Sequence, residues 1–302
     1  MTLNIPCLSV LERWWTASAR LRKPLLLAAL ALFVAGTLWA TAHLGISADR
    51  IDGVTFLMLL SLSPASLAYS GIGMQLMARA AGVSIPFGKS IVISAMAILA
   101  EMLPLPGGAV VRTGALMKAG VGLGKGSALV LLAAILWIAL GALGAGLAVI
   151  RLNAAAGWAL VSIGTAGSVI ATACLGRLSG WRLACLMLVH RLSGIALIAL
   201  RLYLAFGVLG IVFPFVQTMP FVLATMAGSA AAIAPAGLGV SEALAALAAT
   251  AMAVSPAAAF LAVGLDRVVH LLLSAAITSC SLMRAQGGNA APFFPRKVKP
   301  SP

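Results

Sequence analysis

Acidic residues are what this chain has least of: six Asp and Glu stand against 20 Lys and Arg in 302 residues, for a net charge of +14. Charge of either sign is sparse, at 9% of residues, and aromatic residues make up 6%. So little charge excludes an ordinary soluble domain, which carries roughly 25% charged residues. The basic excess does not point to nucleic acid, because no solvated patch interleaves aromatic with basic residues. Four cysteines (Cys7, Cys174, Cys185 and Cys280) lie far apart, with no CxxC pair and no histidine pair nearby. That excludes a disulfide framework or a zinc site, and core packing accounts for each thiol. There is no HExxH, no GxSxG, no phosphate-binding loop and no soluble module for ATP. The expectation is a protein with no catalytic set, no metal and no cofactor.

Apolar residues are what the chain has instead: 62% are hydrophobic and the mean hydropathy is +1.12. Several runs approach the ~20 residues that cross a ~30 Å hydrocarbon core as helix. The expected class is an all-α polytopic membrane protein. Six full spans are expected at 24–44, 54–77, 127–150, 154–175, 193–213 and 257–283, with a kink at Ser63-Pro64. About 23 residues with Trp14, Trp15, Arg20, Arg22 and Lys23 precede the first span, which reads as retained and not as a cleaved signal. The stretch from Gly176 to Arg191 reads as a basic loop, with an interfacial helix over 183–189. The segment 287–302 reads as a basic disordered tail.

Two segments are too short to span. The arm Ser90–Leu103 has 14 residues, about 21 Å of helix, and is followed by a Pro-Gly break and a second short apolar stretch, Val110–Val121. Residues 220–233 and 239–254 repeat that plan. Each pair predicts a re-entrant hairpin, although extending the first arm back to Pro86 makes it long enough to cross. The breaks carry similar motifs: Pro104-Leu-Pro-Gly-Gly-Ala-Val-Val-Arg112 and Ala234-Pro-Ala-Gly-Leu-Gly-Val-Ser-Glu242. Glu242 falls 130 positions after Arg112. Gly82-Val-Ser-Ile-Pro86 likewise echoes Gly210-Ile-Val-Phe-Pro214. Interrupted helices in corresponding positions of two halves are the best sequence pointer to a transport site.

Lysines and arginines divide unevenly between the loops, leaving only Arg50 and Arg151 on one side. The positive-inside rule then places both termini in the cytoplasm. Three full spans separate the motifs, so the two hairpins are expected to enter from opposite faces. One transmembrane domain, 1–286, is expected, with inverted-repeat halves at 24–150 and 154–283.

Ionisable residues inside apolar segments are costly and mark function by default. The set comprises Glu101, Arg112, Arg201, Glu242, Asp266 and Arg267, with His270 one turn further on. Arg112 and Glu242 are placed to pair as a clasp or a gate. Arg267 needs an anion, which Asp266, Glu242 or a lipid phosphate would supply. Arg201 reads as a site residue. Glu101 is placed for a cationic group or a proton, and His270 for a proton or an ordinary helix hydrogen bond. Gly107, Gly108, Gly237 and Gly239 either free backbone N–H groups for an anionic ligand or let helices pack closely.

With these motifs in hand, the chain resembles the flippase-like integral membrane family related to the transmembrane region of lysylphosphatidylglycerol synthases. Pro235-Ala-Gly-Leu-Gly-Val-Ser-Glu242-Ala matches that family's late motif, Gly108-Ala-Val-Val-Arg112 matches its earlier one in part, and Arg267 matches an arginine in the last long helix. Four positions depart from the pattern: Ala109 replaces an acid, Ala236 a glycine, Ser241 a basic residue, and Trp137 an arginine. These losses point to a less polar lipid, such as a hopanoid. The resemblance implies a lipid transporter or flippase of a bacterial inner membrane. The other readings are a non-transporting partner of a lipid-biosynthesis enzyme, for example a hopanoid-associated one, and a lipid-modifying enzyme. No lysyl transfer is implied, because no soluble aminoacyl-transfer domain follows.

Overall fold

The structure, a computed structural model, describes residues 27, 30–44, 52–101, 106–230 and 239–287. They form ten α-helices and no strand. These are α1 (Leu30–Leu44), α2 (Gly53–Ala81), α3 (Phe87–Ala100), α4 (Gly107–Lys118), α5 (Leu123–Val149), α6 (Ala154–Ser179), α7 (Trp181–Val208), α8 (Met219–Ala230), α9 (Val240–Ala251) and α10 (Pro256–Gly287). Five of them (α2, α5, α6, α7 and α10) are long and apolar enough to cross a membrane. Large hydrophobic residues such as Leu131, Ile163, Val169 and Leu272 are exposed, as suits a surface solvated by lipid. The protein is an all-α, multi-pass membrane protein.

Local chemistry sets the helix ends. Asp52 caps α2, accepting from the Val54 N–H at 3.0 Å and from the Thr55 hydroxyl. The helix then runs through Pro64 without interruption. Glycines set the closest packing: a side chain at Gly146, Gly157 or Gly164 would run into backbone atoms of the neighbouring helix, so α5 and α6 pack backbone on backbone.

The stretch 176–191 is not a loop. Helix α6 runs to Ser179, and a single residue, Gly180 at φ +87, turns the chain into α7. That value favours glycine, and it joins two long helices with no interfacial segment between them. Arg191 therefore lies inside a 28-residue helix, ten residues past its first. At the other end of the chain, α10 continues past Met283 to Gly287. Of the expected span 24–44, the described helix begins at Leu30. Both hairpin tips, 102–105 and 231–238, and the tail beyond Gly287 lie outside the described residues.

Several features occur twice. The turn after α2 has Gly82 at φ +88, a Val83 N–H bond to Ala78 O, then an extended Pro86. After α7 come Gly210 at φ +73, an Ile211 N–H bond to Phe206 O, then an extended Pro214. The turn after α4 has Gly120 at φ +96 and a Val121-to-Leu116 bond, and after α9 stand Ala253 at φ +54 and a Val254-to-Ala249 bond. Packing follows the same order. Helix α5 lies along α8, α10 along α3, and α2 along α7. At one end of the bundle the Lys125 ammonium donates to Ala81 O at 3.2 Å. At the other, Asp52 N–H reaches Val208 O, and Leu152 and Asn153 share a groove with Ala251 and Met252.

Candidate functional site

Both hairpins bring a carboxylate to the start of their second arm and answer it with an arginine. In the second hairpin the carboxylate is Glu242, in the first turn of α9. It accepts the Gly239 N–H at 2.8 Å, bending back over its own helix start. Gly239 itself is held at φ +77 beneath Leu32 of α1. Arg267 of α10 meets the same carboxylate at 3.1 Å and also donates to the Ser241 hydroxyl. Glu242 is fully buried, and the Arg267 side chain is about nine-tenths buried, at 11% exposed. Gly228 of α8 makes the fit possible, since a Cβ there would strike the Ser241 side chain and backbone.

In the first hairpin the carboxylate is Glu101, which follows the last residue of α3. It lies against Gly108 at the start of α4 and pairs with Arg112 at 3.5 Å. Their side chains are 34% and 25% exposed. Gly107 brings the start of α4 onto the Ala100 carbonyl, too close for any side chain. In the second hairpin the protein's own carboxylate thus accepts an N–H at the helix start, and in the first a carboxylate lies against Gly108, while Gly107 and Gly228 bring the arms together.

A third pair braces α7 against α10. Arg201 donates through Nε to Asp266 at 2.8 Å, through a terminal nitrogen to the Asp266 carbonyl at 3.1 Å, and lies 3.2 Å from His270 Nδ1. A guanidinium only donates, so Nδ1 accepts and the His270 proton sits on Nε2.

Arg112 does not pair with Glu242. It is held by Glu101 across its own hairpin, while Glu242 is taken by Arg267. Of the partners expected for Arg267, Glu242 is the direct one, and Asp266 is committed to Arg201. The pairs still share one interior: Glu101 lies within electrostatic reach of Arg112 and Arg267, and Arg267 within reach of Glu242, Asp266 and Glu101. Gly237 lies outside the described residues.

Sequence reasoning missed Arg191, Tyr69 and His190, and it read Trp137 only as a lost charge. In the fold the Arg191 guanidinium lies 5.2 Å from the centre of the Trp137 ring, Tyr69 faces that ring at 6.1 Å, and Tyr69 stacks on His190 at 4.0 Å. These contacts join α2, α5 and α7, far apart in sequence. The one signal for them in the sequence is that 181–191 holds no proline or internal break, so that a helix can run through it. A separate groove of about 610 Å³ between the second hairpin and α5–α6 has no charged side chain in its lining. Among the described residues no cluster of metal-ligating side chains occurs. No protein-family model and no curated protein matches the chain.

Proposed function

We propose that the protein moves a membrane lipid between the leaflets of a bacterial inner membrane, by alternating access at two hairpins related by an inverted repeat. The observation that carries this reading is the doubling of one device. At each hairpin a carboxylate near the start of the second arm meets an arginine, Glu101 at the end of α3 with Arg112 of α4 and Glu242 of α9 with Arg267 of α10, within a bundle of long apolar helices. Buried charges of this kind are expensive to keep in a membrane interior. The matching turns after α2 and α7 and after α4 and α9 support a repeat of α1–α5 by α6–α10. So does the reciprocal packing of α5 on α8 and of α10 on α3. In this reading six full spans surround the hairpins, both termini are cytoplasmic, and the first hairpin opens inward and the second outward. The resemblance of the Pro235–Ala243 stretch and Arg267 to the flippase-like family points the same way.

Purified protein reconstituted into liposomes with a panel of fluorescent lipids tests the proposal. At least one lipid should exchange between leaflets faster than in protein-free liposomes. A folded Arg267→Lys variant, which keeps the charge but loses the fork that reaches Glu242 and Ser241 together, should slow that exchange. Exchange at the protein-free rate for every lipid in the panel would overturn the reading.

A further inference from the structure

Four arginines lie inside the bundle, and three of them are answered: Arg112 by Glu101, Arg201 by Asp266 and Arg267 by Glu242. Arg191 is the exception. Among the described residues it meets the Trp137 ring and the Tyr69 hydroxyl, and no carboxylate. Of the remaining acids, Asp52 is spent on the α2 cap, and Glu12 and Asp49 lie outside the described residues. The other charge within reach of Arg191 is the half-buried Arg112, which Glu101 already answers. Arg191 is therefore the one interior arginine among the described residues whose charge is left for an outside anion.

The neighbouring polar atoms are also short of partners. The Tyr69 hydroxyl and His190 Nε2 are buried and make no hydrogen bond of good geometry; the neighbour of the hydroxyl is the Arg191 guanidinium, which stands close enough to interact with it. Such atoms are rare in folded proteins and call for a partner. The surroundings are rigid. His190 packs against Gly73 and Tyr69 against Gly194, at distances that leave no room for a Cβ on either glycine. The aromatic rings are thereby fixed as a platform, and stacking on Trp137 holds the guanidinium in one plane.

We propose that Arg191 and the Tyr69 hydroxyl form an oxyanion-binding site on the Trp137 face between α2, α5 and α7, taking a phosphate group. A guanidinium fork fits a phosphate with two parallel hydrogen bonds, and the phenol adds a third donor. The site restores from α7 the charge that Trp137 lacks relative to Arg267, 130 positions later. It extends the transport reading by naming the chemical class of group that the first half receives. The phosphate belongs either to a lipid headgroup or to a free ion.

Native mass spectrometry of the full chain in detergent separates these sources, with phosphatidic acid, diacylglycerol of the same acyl chains, and inorganic phosphate as probes. The wild type should retain phosphatidic acid over diacylglycerol by about tenfold or more, the worth of a charge-assisted hydrogen bond. Arg191→Gln should abolish that preference while retaining diacylglycerol and the melting temperature. Tyr69→Phe, which removes only the hydroxyl beside Arg191, should lower the preference severalfold and leave the melting temperature close to that of the wild type; it keeps the test open if Arg191→Gln fails to fold. Saturable retention of inorganic phosphate that is lost in both variants, without lipid discrimination, would assign the site to the free ion. Equal retention of both lipids and no retention of phosphate would overturn the site, as would unchanged phosphate preference in the variants. Phosphate preference without lipid exchange in liposomes would remove the transport reading and leave the site. Exchange without the preference would do the reverse.

Discussion

The two hairpins use the same parts with different tightness. In the second, the carboxylate is fully buried, bonded to its own backbone, and held by an arginine that also binds the adjacent serine. In the first, the pair is longer, at 3.5 Å, and a quarter to a third exposed. The arms of both hairpins meet closely, at Gly107 on the Ala100 carbonyl and at Gly228 on the Ser241 backbone, and the difference lies at Gly108, which faces chiefly the movable Glu101 side chain. The second hairpin's pair is thus held more tightly than the first's, an asymmetry that the proposed transport cycle would use.

The largest expected effect comes from breaking the tighter pair. Glu242→Ala strands Arg267 in the interior, and removal of one member of a buried pair costs about 3–5 kcal/mol. The variant should lose most of its folded yield, read as monodisperse protein after size exclusion. Replacing both members, as Glu242→Gln with Arg267→Met, keeps an acceptor for the Gly239 N–H and leaves no stranded charge. It should recover most of the melting temperature lost by the single variant; failure to recover would mean that the pair does more than hold the hairpin.

Packing gives the next contrast. Gly228→Ala drives a methyl group into the Ser241 backbone and should cost about 1–3 kcal/mol by overpacking, visible as a lower melting temperature. Gly108→Ala displaces mainly the Glu101 side chain and should cost less, because that side chain can swing away. Equal losses at the two glycines would show that the Glu101 side chain is held as firmly as the Ser241 backbone.

The smallest effect belongs to the open pair. Glu101→Gln should change stability by about 0–1 kcal/mol, the range of part-exposed ion pairs. A loss as large as that of Glu242→Ala would show that the first pair is held as tightly.

Much of this fold could be read from the chain, because broken apolar runs announce themselves. The arms 90–103 and 220–233 became α3 and α8, shifted by a few residues, and five expected spans became long helices. The short Gly-to-Pro echoes at 82–86 and 210–214 became turns of the same conformation. The partners of the charges were harder to see. Arg112 had a carboxylate eleven positions earlier, across the hairpin turn, yet the motif alignment drew attention to Glu242. Arg191 was hidden by its neighbours: with Arg177 and Arg182 close by, it read as one more loop charge, when it lies within a helix and stacks on a tryptophan 54 positions earlier. Long-range stacking leaves no periodicity in a sequence.

The opposed hairpins are the core of the account, and Lys125 and Ser255 probe them directly, because each stands at the start of the helix that leaves a hairpin. Single cysteines at these positions, in a background lacking the four native thiols, can be treated with a membrane-impermeant maleimide. In intact spheroplasts only Ser255→Cys should be labelled, and in inverted membrane vesicles only Lys125→Cys. Labelling of both from the same face would contradict the account.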